Sequence, residues 1–99
     1  MFQWLSVAKP TRLEMLVETT VEEDEIIDQH TAYMEDLTEK GVVILVGRTL
    51  NTDETSFGLT IFEAEDETAA REIMENDPAV KDGLMTATLF PCRVALNRK

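Results

Sequence analysis

The 99-residue sequence predicts an α+β fold, a ferredoxin-like βαββαβ sandwich in which two helices cover one face of a four-stranded antiparallel sheet. Three observations carry that expectation. Apolar patterns follow one another in the order β, α, β, β, α, β; both helical segments open on a capping residue; and glycine or proline punctuates their exits.

The stretch Arg12-Leu13-Glu14-Met15-Leu16-Val17-Glu18 alternates as a strand does, with Leu13, Met15 and Val17 on one side. It is expected as the first strand, preceded by an extension over residues 1–11, with the core of a single domain spanning residues 12–95. Thr20 then marks a helix start, and Glu23 completes a capping box. Glu22, Glu23, Asp24 and Glu25 crowd the first turn, where free amides and the helix dipole favour negative charge, so the cluster reads as helix-start electrostatics rather than a metal site. Along this helix Ile26, His30, Tyr33 and Leu37 form a stripe that Ile27 and Met34 widen, and Gly41 ends it.

The run Val42–Val46 is apolar throughout and is expected inside a sheet with both faces covered. A polar connection over residues 47–56 leads to a strand in which Phe57, Leu59 and Ile61 alternate with Gly58, Thr60 and Phe62. Asp66 caps a second helix over about residues 67–75, whose buried side carries Ala69, Ala70, Ile73 and Met74. Asn76, Asp77 and Pro78 stop it, since the residue before a proline is pushed out of the helical region. The last strand runs from Leu84 to Val94, and Pro91, which lacks an amide donor, puts it at an edge or a bulge.

Two helices cover one side of such a sheet, yet Leu16, Phe62 and alternate positions of Val42–Val46 point to the other. An uncovered apolar patch of that size is expected to meet another molecule. A homodimer packed through the sheet face meets this need, with Thr60, Thr86 and Thr88 lining any space between the layers. In the competing arrangement Phe2, Trp4 and Leu5 fold back as a cover.

Hydrophobic residues make up 43% and charged ones 29%, which places the chain among globular proteins rather than disordered ones. The net charge of −11 repels a phosphate backbone, so nucleic acid is not an expected partner, although Arg93, Arg98 and Lys99 leave the C-terminus mildly basic. The longest apolar run is far too short to span a membrane, and residues 1–9 do not resemble a secretory signal, so a cytoplasmic protein is expected. Cys92 is the only cysteine; it forms no intrachain disulfide or thiolate zinc cluster and reads as a small buried or half-buried residue.

His30 is the only histidine, and the one side chain whose ordinary pKa suits proton transfer near neutrality. On an apolar stripe it reads equally as a satisfied core or interface residue. Asp77 ends the second helix; it either caps the turn that follows or reaches His30 and orients its ring, and spacing alone does not decide. Arg48 follows Gly47 and either offers a guanidinium to an anionic substrate or pairs with one of the many carboxylates. Tyr33, one turn after His30, either donates a hydrogen bond into a pocket or packs. No serine or threonine stands in a nucleophile's context, and glycine-rich dinucleotide or phosphate loops are absent, so no cofactor or metal is expected.

Taken together, the helix bearing His30, the Leu37-x-x-x-Gly41 exit, the Gly47 turn, the Ile61-Phe62 strand end and Asp77-Pro78-Ala79-Val80 with Gly83 resemble the YCII-related (YciI-like) family of the dimeric α/β-barrel superfamily. The resemblance implies ferredoxin-fold dimers with a cleft at a histidine and an aspartate, here His30 and Asp77. It also implies small-molecule chemistry, the family including a dehydrochlorinase of a chlorinated hydroxyhydroquinone. Arg48 replaces an expected glycine-proline turn. The expectation is a small cofactor-independent enzyme that uses His30 and Asp77 for elimination or isomerisation of a small aromatic or hydroxylated molecule, with Arg48 and Tyr33 binding it. The alternative is a non-catalytic ligand-binding or interaction dimer.

Overall fold

The computed structural model describes residues 1–98; Lys99, the last member of the basic C-terminus, lies outside the described residues. Strands β1 (Phe2–Pro10), β2 (Val43–Arg48), β3 (Gly58–Ala64) and β4 (Met85–Cys92) form one antiparallel sheet in the order β2-β3-β1-β4. Helices α1 (Val21–Glu39), α2 (Glu67–Glu75) and the short α3 (Pro78–Lys81) pack against it. The expected α+β sandwich is therefore the fold, with the strand order of a ferredoxin-like unit. No helix among the described residues is long and apolar enough to cross a membrane.

The first strand is not where its alternation suggested. Residues 2–10, expected as an extension, form β1 at the centre of the sheet, hydrogen-bonded to β3 on one side and β4 on the other. Residues Leu13–Leu16 instead make a 3-10 turn that buries only Met15. The anchor is Arg12, whose guanidinium donates to both carboxylate oxygens of Glu23, at 2.8 and 2.5 Å, and to the Glu18 carbonyl at 3.2 Å. Phe2, Trp4 and Leu5 consequently do not fold back as a cover, since they are part of the sheet.

Helix α1 begins as its sequence requires. Thr20 accepts from the Glu23 amide at 3.1 Å while Glu23 accepts from the Thr20 amide at 2.9 Å. Asp66 caps α2 through the Ala69 amide, and Asp77 caps α3, whose first residue is Pro78.

Strand β2 lies at an edge of the sheet and not inside it, and Val43 is its only buried residue. Its register against β3 slips between Val43 and Leu45. Strand β4 occupies the other edge, which accommodates Pro91.

The core divides in two. One cluster gathers Trp4, Val43, Phe62, Ala64 and Ala70 beneath Met34, Leu37 and Ile73; the other gathers Met15, Ala79 and Leu84 beneath Ile26 and Ile27. Phe62, expected on the uncovered side, is the largest fully buried side chain, at 1% exposure, because the true register turns the even-numbered residues of β3 toward the helices. Leu16 belongs to the turn rather than to a strand. The face left without helices is instead made by Leu5, Val7, Leu45, Leu59, Ile61 and Phe90, which the strand register puts side by side.

Candidate active site

His30 falls on α1 between the residues that enter the two core clusters, Ile26 and Ile27 on one side and Met34 and Leu37 on the other. Below it the sheet changes character. Toward one end its helix-facing residues are Trp4 and Phe62, whereas near His30 they are Ser6, Ala8, Gly58 and Thr60. Small side chains there leave a cavity of about 200 Å³ between sheet and helices, bounded by His30, Asp77 and Arg48 as well as by these residues.

Both carboxylate oxygens of Asp77 lie 2.8 Å from His30 Nδ1, and Oδ1 also accepts from the Ala79 amide at 3.0 Å. The two roles open to Asp77 in the sequence are thus filled at once. Its side chain is 8% exposed and that of His30 25%. A carboxylate only accepts, so Nδ1 is the nitrogen that carries the proton in the neutral ring, leaving the Nε2 lone pair free. Nε2 makes no hydrogen bond among the described residues and is not sealed off from solvent. The pair can therefore take up a proton at Nε2 while Asp77 balances the imidazolium that results.

Arg48 ends β2 and faces Gly58 across the ladder, where the absence of a side chain keeps the cavity open. Among the described residues it joins no salt bridge, although the chain carries 20 carboxylates. A guanidinium left in this way is available to an anionic oxygen.

Tyr33 is engaged elsewhere. Its hydroxyl donates to the Ile73 carbonyl at 2.7 Å and ties α1 to α2, and it borders none of the cavities described here. Burial, with a smaller contribution from the Asp77 charge, raises the phenol above its ordinary pKa, so it remains a neutral donor.

Ser6 and Thr60, paired across β1 and β3, supply a polar floor that the sequence reading did not assign to a site. Thr60 had been expected to line a space between two sheets; it faces the helices of its own chain. The available signal was Ser6 itself, a small polar residue at the inward position after Trp4.

Two further cavities border His30. One, of about 440 Å³, runs along α1 past Glu35 and Glu39; the other, of about 580 Å³, lies against the 3-10 turn and contains Met15, Leu16, Val17, Ile27 and Met85. Among the described residues no cluster of histidine, cysteine and carboxylate side chains is arranged to hold a metal.

Solved structures share this architecture. The chain is similar to 5-chloro-2-hydroxyhydroquinone dehydrochlorinase (TftG) from Burkholderia phenoliruptrix AC1100, whose structure is a complex with 2,5-dihydroxybenzoquinone; identity is 24% over 91% of this chain and 93% of that one, with a TM-score of 0.65. It is also similar to protein YJCS, at 16% identity over 95% of this chain and 99% of that one, with a TM-score of 0.53. At these identities the likeness establishes the fold. No curated protein matches the chain. The model of the YCII-related domain, however, matches residues 2–90, from β1 into β4 and across both His30 and Asp77, and the chain belongs to that family.

Proposed function

We propose that the protein is a small-molecule enzyme in which His30 serves as general base and then general acid, with Asp77 orienting it, in an elimination or isomerisation of a small hydroxylated or aromatic compound. The observation that carries this reading is the buried Asp77 carboxylate on His30 Nδ1, beside a cavity that Nε2 is free to serve. Nε2 takes a proton from an acidic O–H or C–H of the substrate, and the electron pair left behind shifts within the substrate. In an elimination that pair expels a leaving group as an anion; in an isomerisation the imidazolium returns the proton to another atom. Neither route requires a protein nucleophile. Arg48 holds the developing oxyanion, and the similarity to a dehydrochlorinase crystallised with a dihydroxybenzoquinone supports a substrate of this kind.

In the same reading two copies meet sheet to sheet as a dimeric α/β barrel, which covers the apolar face of Leu5, Leu45, Ile61 and Phe90.

The test is turnover of a panel of halogenated and hydroxylated hydroquinones, followed by product chromatography across pH, with wild type, His30→Ala and Asp77→Asn. General acid-base catalysis contributes about 10²- to 10⁴-fold, so His30→Ala is expected to lose activity by about that factor. Asparagine caps a helix as well as aspartate does, so Asp77→Asn retains α3 and isolates the loss of charge. Turnover in His30→Ala equal to wild type would remove His30 from its role. Saturable binding without turnover in wild type would instead support the non-catalytic ligand-binding dimer.

A further inference from the structure

We infer that Ser6 and Thr60 bind an uncharged oxygen of the substrate, a hydroxyl or a carbonyl, and that the site thereby selects a single ring carrying this oxygen at the end away from an anionic group held by Arg48. The inference rests on the assignment of His30 and Asp77 as the reacting pair and extends it to the class of substrate.

Ser6 is buried, at 8% exposure, yet its hydroxyl makes no hydrogen bond among the described residues. None of their buried side-chain oxygens is both sealed off and unpaired, so Ser6 Oγ meets open space, and the residue borders the cavity of about 200 Å³ at His30. A second hollow that it borders, of about 10 Å³, is at the lower limit for one water. Leaving such a hydroxyl unpaired destabilises the fold, and Ala8, the next inward position on β1, shows that a methyl group serves the floor equally well. Thr60 stands directly opposite on β3, its hydroxyl likewise without a partner among the described residues. Opposed residues of antiparallel neighbours hold their Cβ atoms about 5 Å apart, so the two hydroxyls can converge on one ligand atom.

The hydroxyls at the other two His30 cavities are already engaged. Thr31 and Thr38 donate to the Ile27 and Met34 carbonyls, and Thr19 donates to Asp24. Ser6 and Thr60 keep a donor and an acceptor each. The cavity above them also sets a size. An engineered apolar cavity of about 150 Å³ holds benzene, so about 200 Å³ takes one ring with small substituents. Ala8, Val46 and Val80 give that ring an apolar wall, and the few polar groups fix its orientation. Arg48 lies opposite Gly58, two residues along β3 from Thr60, or about 7 Å at the rise of a strand. A ring bridges that interval with an anionic group toward Arg48 and a neutral oxygen on Ser6 and Thr60, and His30 meets it from the helix side.

The test is calorimetric titration near neutral pH with 4-hydroxybenzoate and 4-methylbenzoate, which are nearly equal in size and differ in the oxygen. Wild type is expected to bind the hydroxy compound about tenfold more tightly. Ser6→Ala is expected to reduce that preference to about threefold, and Ser6→Ala combined with Thr60→Val to abolish it. Should the double variant not fold, Ser6→Ala alone carries the measurement. His30→Ala is expected to keep the preference while losing turnover of the hydroquinone panel, because the floor acts on binding and not on proton transfer. Urea denaturation reads a purely structural role: the midpoint of Ser6→Ala is expected to equal or exceed that of wild type, since no native hydrogen bond is lost. A lowered midpoint with the preference intact would assign the hydroxyl to the fold and overturn the inference. Equal affinity of wild type for the two compounds would overturn it and leave His30 and Asp77 in place. Failure of both to bind would overturn the substrate class, while loss of turnover in His30→Ala would still uphold the reacting pair.

Discussion

Glu23 and His30 lie on the same face-to-core helix, and each is held by a group from a distant part of the chain. The Arg12 hydrogen bonds, joined by the Thr20 amide, lower the Glu23 carboxyl to a pKa of about 2 from its ordinary 4.5. A carboxyl depressed by folding stabilises the native state above its unfolded pKa, and that contribution is lost as pH falls from about 4.5 through about 2. Thermal unfolding of wild type should therefore lose melting temperature over this interval. Glu23→Gln should start lower at pH 7 and lose less on acidification, the gap between the two narrowing toward pH 2. Tyr33 gives a second expectation at this scale. Tyr33→Phe removes one hydrogen bond to the Ile73 carbonyl and should cost about 1 kcal/mol in urea denaturation, with the KM for a site ligand unchanged, because the phenol does not border the cavity. A raised KM would return Tyr33 to the binding role its place after His30 suggests.

Elements that declare themselves through capping were legible in the sequence, and those defined by pairing were less so. Thr20 with Glu23 and Asp66 before α2 each satisfy free amides with a neighbour a few residues away, so local sequence suffices, whereas the single-turn helix α3 after Asp77-Pro78 was expected only as a turn, being too short to show a hydrophobic period. Removing the Thr20 hydroxyl in Thr20→Ala should accordingly cost about 1 kcal/mol, read as a lowered urea midpoint with unchanged slope. Strand β1 escaped the same reading for a physical reason. Its helix-facing positions pass from Trp4 to Ser6 and Ala8 as the core gives way to the cavity, while Leu5 and Val7 on the other face are apolar, so polarity does not alternate in the usual sense. Arg12–Glu18 alternates without being a strand, since Arg12 is bound to Glu23 and the turn buries only Met15. The run Val42–Val46 is apolar although at an edge, because Val43 enters the core, Leu45 lies on the helix-free face and Val46 borders the His30 cavity.

For the whole molecule, the helix-free face is the feature with the largest consequence. Phe90, 45% exposed on that face, is the place to test it. Phe90→Glu puts a charge where two sheets would meet, so sedimentation velocity should show wild type at dimer mass and the variant shifted to monomer at micromolar concentration. A wild type that stays monomeric at every concentration would refute the dimer. By itself the sequence determined the α+β class, the αββαβ order that follows the first strand, both long helices with their caps, and the residues able to do chemistry. These follow from hydrophobic period, turn chemistry and side-chain type, all short-range properties. Only the tertiary structure decided that Asp77, 47 residues after His30, caps α3 and holds Nδ1 with one carboxylate, that Arg48 closes the same cavity, and that Tyr33 turns away from it. That outcome depends on how the crossovers set α1 over the sheet and beside α3, and on the small residues of β1 and β3 that leave room beneath His30, neither of which the local pattern encodes.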